Sequence, residues 1–197
     1  MRFRTGGVEV RVSFWFFVSV LLFLMADRSA VALPVLGAIA IHESGHLAYL
    51  RLRRLPLAAA DFSFSGMRMR LAADRPLTFG DSLGLNLAGC FFNLAAAILL
   101  ALPGSFWLLR FSAVNSAVAV FNLLPLGGLD GGAILRELLV SALGWDRGVR
   151  AAGAVQGMFC ALAAGGALLL LFWKGFSLGL CLFAVFFLAG LFCSTAE

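Results

Sequence analysis

Ile41-His42-Glu43-Ser44-Gly45-His46-Leu47 lies inside an apolar run that extends from about residue 29 to residue 50. On a helix, positions i and i+4 fall on one face, so His42 and His46 converge on one point and Glu43 flanks it. Two neutral imidazoles at this spacing suit a tetrahedral zinc ion with a third ligand from elsewhere and an open place for water. In a soluble helix so short a pattern often arises by chance, and the bland reading is a polar turn that hydrogen-bonds to its neighbours. Placement in an apolar run argues the other way. Ionisable groups in a span cost roughly 2.5 kcal/mol or more at the helix centre and persist where they face protein interior or a wet cavity. His42 and His46 are also the only histidines of the chain.

The rest of the composition supports a bilayer setting. Of 197 residues, 62% are hydrophobic and 13% charged, and the mean hydropathy is +1.00. Soluble domains carry roughly 25% charged residues, and a chain of this size has too little polar surface to cover such an apolar inventory in water. The sequence therefore predicts an all-α polytopic membrane protein. Six apolar runs are long enough to span, at about 10–26, 29–50, 83–102, 106–125, 151–173 and 176–193. The first follows Arg2, Arg4 and Arg11 and precedes Ala30-Val31-Ala32, which also fits a cleaved signal peptide. A second span follows almost at once, which favours a retained helix.

The net charge is +5, carried by 14 Arg and the single Lys174. These cations sit between apolar runs, where they set topology and make no nucleic-acid patch. With a cytoplasmic amino terminus, twelve of the fifteen fall on the cytoplasmic side; Arg28, Arg110 and Lys174 lie opposite. Both termini are therefore expected in the cytoplasm. Cys90, Cys160, Cys181 and Cys193 lie in apolar runs without metal-binding spacing and read as core residues.

Two connections carry structure. Residues 60–72 alternate with period two about Ser65-Gly66, placing Phe62 and Phe64 before the turn and Met67, Met69 and Leu71 after it. This predicts a membrane-associated β-hairpin between the second and third spans; the alternative is an interfacial loop with snorkelling arginines. The other connection is a short amphipathic helix over 133–143, opened by the glycine-rich segment Leu126–Gly132.

A third ligand must come from another helix, and Asp130 is the candidate. It ends a broken helix at about 106–132, reading Asn122-Leu-Leu-Pro125-Leu-Gly-Gly-Leu-Asp130-Gly131-Gly132. Pro125 removes a backbone donor and the glycines allow unusual dihedrals, so the chain can unwind and turn a carboxylate inward. Taken alone, the segment also fits an ordinary helix stop with Asp130 capping the next helix, the lesser of the two readings. Depth favours ligation: His46 lies about 7–8 Å of helix before Arg51, and Asp130 follows the fourth span at the same cytoplasmic end.

At these residues the sequence resembles the site-2 protease family of intramembrane zinc metalloproteases. The resemblance rests on His42-Glu43-Ser44-Gly45-His46, on Asn122-Leu-Leu-Pro125 leading to Leu129-Asp130-Gly131-Gly132, and on Ala88-Gly89-Cys90-Phe91-Phe92-Asn93 between them. Cys90 and Gly128 stand where relatives often carry proline. The resemblance implies one zinc ion held by His42, His46 and Asp130, Glu43 as catalytic acid/base, and Asn93 and Asn122 as polar groups at the site. It also implies a transmembrane or membrane-associated protein substrate, a membrane inhibitory or regulatory partner, and a bacterial cell membrane. The small form resembles the sporulation branch that processes a sigma-factor precursor, here without a nucleotide-binding CBS domain after Glu197. The whole chain, 1–197, is expected to be one transmembrane metalloprotease domain. Two other classes remain open: a membrane metal-ion transporter using the same ligands, and an inactive relative that only binds membrane partners.

Overall fold

The computed structural model describes residues 1–5, 8–27, 30–63, 66–72 and 77–174. The sixth expected span, 176–193, lies outside the described residues, as do Phe64 and Ser65 of the expected hairpin turn. In chain order the elements are β1 Arg2–Thr5, β2 Val8–Val12, α1 Phe14–Ala26, α2 Ala32–Leu52, β3 Leu57–Ser63, β4 Gly66–Leu71, α3 Phe79–Ala101, α4 Phe106–Asn122, α5 Asp130–Leu143 and α6 Trp145–Lys174. They divide into two compact units, Met1–Val120 and Phe121–Glu197.

In the first unit, α2 packs on α3, the strands form one sheet of order β1-β2-β3-β4, and α1 touches both β3 and α2. The hairpin expected over 60–72 is present as the antiparallel pair β3–β4, closed at Ser63 opposite Gly66 and bulged between Leu57 and Ala59. The expected architecture needs correcting on the other side of β3. Residues 10–26 are not one helix: β2 ends at Val12, Ser13 caps α1 by accepting from the Trp15 amide, and α1 has only 13 residues. At 1.5 Å per residue that is about 20 Å, short of the roughly 30 Å hydrocarbon layer. The polar residues Arg2, Arg4, Glu9 and Arg11 alternate with apolar ones, and β1–β2 forms a second hairpin that joins β3 in parallel.

Among the described residues two helices are long and apolar enough to cross a membrane, Phe79–Ala101 and Trp145–Trp173. Six spans are thus not established. The helix α2 has the length, 21 residues, but carries His42, Glu43, His46 and Arg51. At its far end, α3 is capped by Thr78, whose hydroxyl accepts from the Asp81 amide and donates to the Asp81 carboxylate. Within the same unit Ser112 of α4 donates to the Ala97 carbonyl of α3 at 2.7 Å.

The second unit is built on α5 and α6. The core there is Leu126, Cys160 and Ala164, with Phe121, Leu124, Leu129 and Ala163 packed around it. The helix expected at 133 begins earlier, at Asp130, because Leu129 is extended and acts as the cap residue. Likewise α6 begins at Trp145, six residues before the expected 151. Gly144 reverses the chain at φ +80, and Gly148 packs where a Cβ would meet the backbone of Val140. Glycine suits Gly144 by its backbone freedom and Gly148 by its missing Cβ.

Candidate metal centre

Helix α2 has its Pro, Pro34, in the first turn and no β-branched run around its polar turn, so the i, i+4 geometry of His42 and His46 is kept. Both rings are buried, 5% and 8% exposed. Their Nε2 atoms stand 3.1 Å apart, and the rings meet edge to face with centroids at 4.7 Å. Nδ1 of His46 lies 2.8 Å from the Leu85 carbonyl oxygen. A carbonyl only accepts, so Nδ1 carries the hydrogen and donates, which reserves Nε2, the atom facing His42, as the nitrogen that can ligate. Two nitrogens bound at about 2.0–2.1 Å to a tetrahedral ion would be separated by roughly 3.3 Å. The observed spacing fits that donor pair.

The approach of α3 is permitted by two glycines. A Cβ at Gly45 would lie 2.6 Å from the Ala88 carbonyl oxygen, and one at Gly89 would lie 2.5 Å from Nε2 of His46 and 2.6 Å from Cε1 of His42. Small residues at helix contacts let backbones come close inside a membrane. Here they leave a space beside both imidazoles that any side chain would fill. Asn93, one turn on from Gly89, is fully buried, with Nδ2 3.5 Å from Nδ1 of His42. Its Oδ1 is buried without a hydrogen-bond partner.

The crossing is pinned where the end of α2 meets the start of α3. Arg53, at the end of α2, reaches Asp81 in the first turn of α3 through Nε and Nη2, both at 2.9 Å. Asp81 is 1% exposed, and its carboxylate raises the Arg53 pKa above the ordinary value, so the guanidinium stays charged. Tyr49 adds a hydroxyl that donates to the Gly80 carbonyl at 3.4 Å.

Comparison with solved structures finds the Site-2 Protease from Methanocaldococcus jannaschii, with a TM-score of 0.69 over 100% of this chain and 94% of that one, at 17% sequence identity. The chain has the site-2 protease fold. No family model and no curated protein matches the sequence. The likeness is therefore one of backbone architecture, a mostly helical membrane fold with a small sheet.

Within this site-2 protease fold, the structure brings His42, His46 and Asn93 together in the first unit, and Glu43 stands half-buried beside them on α2. Asn122 and Asp130 belong to the second unit. Asn122 is the last residue of α4. After it the chain folds tightly: the Leu124 amide donates to Phe121, Leu126 to Leu124 and Leu129 to Leu126. A Cβ at Gly131 would meet the Leu123 carbonyl, and one at Gly132 the Leu126 carbonyl. The bend thus needs both glycines, and it delivers Asp130, half-buried, at the start of α5. Gln156 of α6 holds the bend by donating to the Gly132 carbonyl at 3.0 Å.

The sequence alone does not single out Gly45, the Leu85 carbonyl or the Arg53–Asp81 pair as neighbours of the histidines. Gly45 sits within the His-Glu-Ser-Gly-His run, where a helix-weakening residue between two candidate ligands is a usable signal of close packing. The Leu85 carbonyl has no side-chain signature at all.

Proposed function

We propose that this protein is an intramembrane zinc metalloprotease in which His42, His46 and Asp130 hold one ion and Glu43 is the catalytic acid/base. The observation that carries the reading is the buried imidazole pair, Nε2 to Nε2 at 3.1 Å, on a membrane-protein fold shared with a site-2 protease. Each of the three residues offers one ligand atom, nitrogen from the histidines and oxygen from the aspartate. That mixed N/O set suits zinc. The two compact units act, on this reading, as one catalytic domain over 1–197, with both termini cytoplasmic and the site near that face.

When bound, zinc supplies a Lewis acid for the scissile carbonyl and a water acidic enough to lose its proton near neutral pH. Glu43 accepts that proton as the water oxygen bonds to the carbonyl carbon. It returns the proton to the amide nitrogen as the C–N bond breaks, leaving a carboxyl and an amine. Asn122 and Asn93 contribute amide donors where the carbonyl oxygen gains charge. Leu85 holds His46 in the tautomer that ligation needs, and Asn93 packs on the Nδ1 side of His42.

The substrate is a transmembrane or membrane-associated protein, including a sigma-factor precursor of the kind the family resemblance suggests. Such a helix must unwind before its carbonyls can be attacked. Strand β4 is an edge of the sheet and is proposed to pair with the unwound segment by main-chain bonds. The Ala72 amide donates to Pro56, toward β3. By strand alternation the Met69 and Leu71 amides face the open edge.

The test is reconstitution of the full chain with candidate membrane-associated substrates, with and without chelator, mapping new termini by mass spectrometry. A protease yields chelator-sensitive termini, and Glu43→Gln abolishes them while zinc stays stoichiometric. A metal transporter would keep moving zinc across vesicles with Glu43→Gln, and an inactive relative would produce no new termini.

A further inference from the structure

By register Arg2, Arg4, Arg11, Arg68 and Arg70 lie on one face of the sheet, and of the four whose side chains are described only Arg11 and Arg70 are neutralised within it. The register sets Arg2 beside Arg11 and Arg4 beside Glu9, then Arg11 beside Asp61 and Glu9 beside Ala59, and finally Ala59 beside Arg70. Cross-strand partners point the same way, so Arg2, Arg4, Glu9, Arg11, Asp61 and Arg70 share a face. Arg11 donates to both Glu9 carboxylate oxygens at 2.8 Å, through Nε and Nη2. Arg70 reaches Asp61 at 3.0 Å, and Arg11 Nε stands 3.8 Å from the same carboxylate. On the edge strand β1, Arg2 and Arg4 are exposed and make no ion pair among the described residues.

The opposite face is apolar: Phe3, Val10, Ala60 and Met69 lie in one row, and Val12 and Phe62 in another. It leads directly into α1. The Phe16 ring meets Phe62 at 5.7 Å, and Phe14 and Trp15, at the helix start, are 72% and 64% exposed. Exposed aromatic rings at the mouth of an apolar helix belong at the bilayer interface. That places the end of β2, one residue earlier than Ser13, at headgroup depth.

We infer that the arginine face of this sheet is a docking surface for anionic phospholipid headgroups, with Arg2 and Arg4 as the recognising cations. Phosphate is a ligand that a guanidinium fork matches with two parallel hydrogen bonds. An acidic protein segment has the right charge too, but the aromatic entry to α1 and the apolar underside put lipid phosphates, not a soluble chain, next to the arginines. Each unpaired arginine near a membrane surface contributes roughly a fivefold preference for anionic lipid, and the two together roughly thirtyfold at low salt.

The full chain, purified and delipidated in mild detergent, is offered equal amounts of phosphatidylglycerol and phosphatidylcholine with the same acyl chains. Native mass spectrometry counts what is retained. Wild type is expected to enrich phosphatidylglycerol. Arg2→Gln with Arg4→Gln lowers that enrichment at least tenfold, Arg2→Lys with Arg4→Lys keeps most of it, and Glu9→Gln raises it by releasing Arg11. Helical circular dichroism and zinc content report that each variant folds. The inference is overturned if wild type shows no enrichment, or if Arg51→Gln with Arg54→Gln, exposed arginines off the sheet, lowers it as much. Displacement of the lipid by a glutamate-rich peptide would assign the face to an acidic partner and overturn it as well.

Discussion

The α2–α3 crossing and the bend from Asn122 to Gly132 keep polar groups inside an apolar chain by opposite means. The crossing leaves both helices regular and removes side chains: Gly45 and Gly89 let a neighbouring carbonyl and two imidazoles come together. The bend removes regularity, with Gly128 at φ +85 and amide bonds folding back on Phe121, Leu124 and Leu126. In the first, the geometry of the imidazoles is set by helix packing; in the second, that of the Asp130 carboxylate is set by local backbone. A rigid pair of imidazoles and a carboxylate on a separately folded turn should therefore fail in different ways.

The largest expected effect is at the crossing. Gly89→Leu puts a side chain where the Cβ alone would lie 2.5 Å from Nε2 of His46, and zinc affinity should fall by more than about 100-fold with hydrolysis lost. Competition against a calibrated chelator reads it. Gly132→Ala meets the Leu126 carbonyl of the bend, and the expected loss is in catalytic rate and zinc affinity together, with the histidine pair still able to hold weakly bound metal. Equal zinc loss in both variants would erase the distinction between the two regions.

Glu43→Gln sharpens the comparison from within α2, because it changes the proposed proton carrier without touching a proposed ligand. Turnover should fall by about 1,000-fold with zinc unchanged. Further out, Met69→Pro removes an amide that faces the open edge of β4 while sparing the β3 ladder. It should slow cleavage of a helical substrate several-fold and leave zinc content as it was; unaltered cleavage would remove the strand-pairing role.

The smallest effect is at Glu9. Hydrogen bonds from Arg11, aided by the charges of Arg11, Arg2 and Arg70, hold its carboxyl below the ordinary value. A depressed folded pKa means the pair stabilises the sheet in full above the unfolded pKa, about 4.3, and is lost as the pH falls through the folded value. Melting temperature followed from about pH 6 to about pH 3 should drop slightly more in wild type than in Glu9→Gln. Glu9 is half-buried at the sheet surface, with Arg11 beside it open to solvent, and screening by water keeps the difference small.

Legibility from the sequence followed how local each feature is. The imidazole pair depends on one turn of helix, and His42 and His46 could be read directly. The β3–β4 hairpin depends on alternation around a two-residue turn, and it too was readable. Strands β1 and β2 were not, although Arg2 to Val12 alternates, because β2 is anchored by parallel pairing to Ala59–Phe62, some fifty residues away. Parallel pairing has no hairpin signature. Trp145-Asp146-Arg147 read as loop because its charges masked the first turn of α6. The glycines of the crossing carried their signal only once the facing helix was known.

The central claim is that the aspartate at the start of α5 completes the site begun by two histidines on α2. Zinc titration of the full chain against a competing chelator tests it most directly. The account predicts one zinc per chain in wild type, with Asp130→Ala, His42→Ala and His46→Ala each weakening binding by at least about 100-fold. Wild-type affinity in Asp130→Ala, with the histidine variants still impaired, would contradict it.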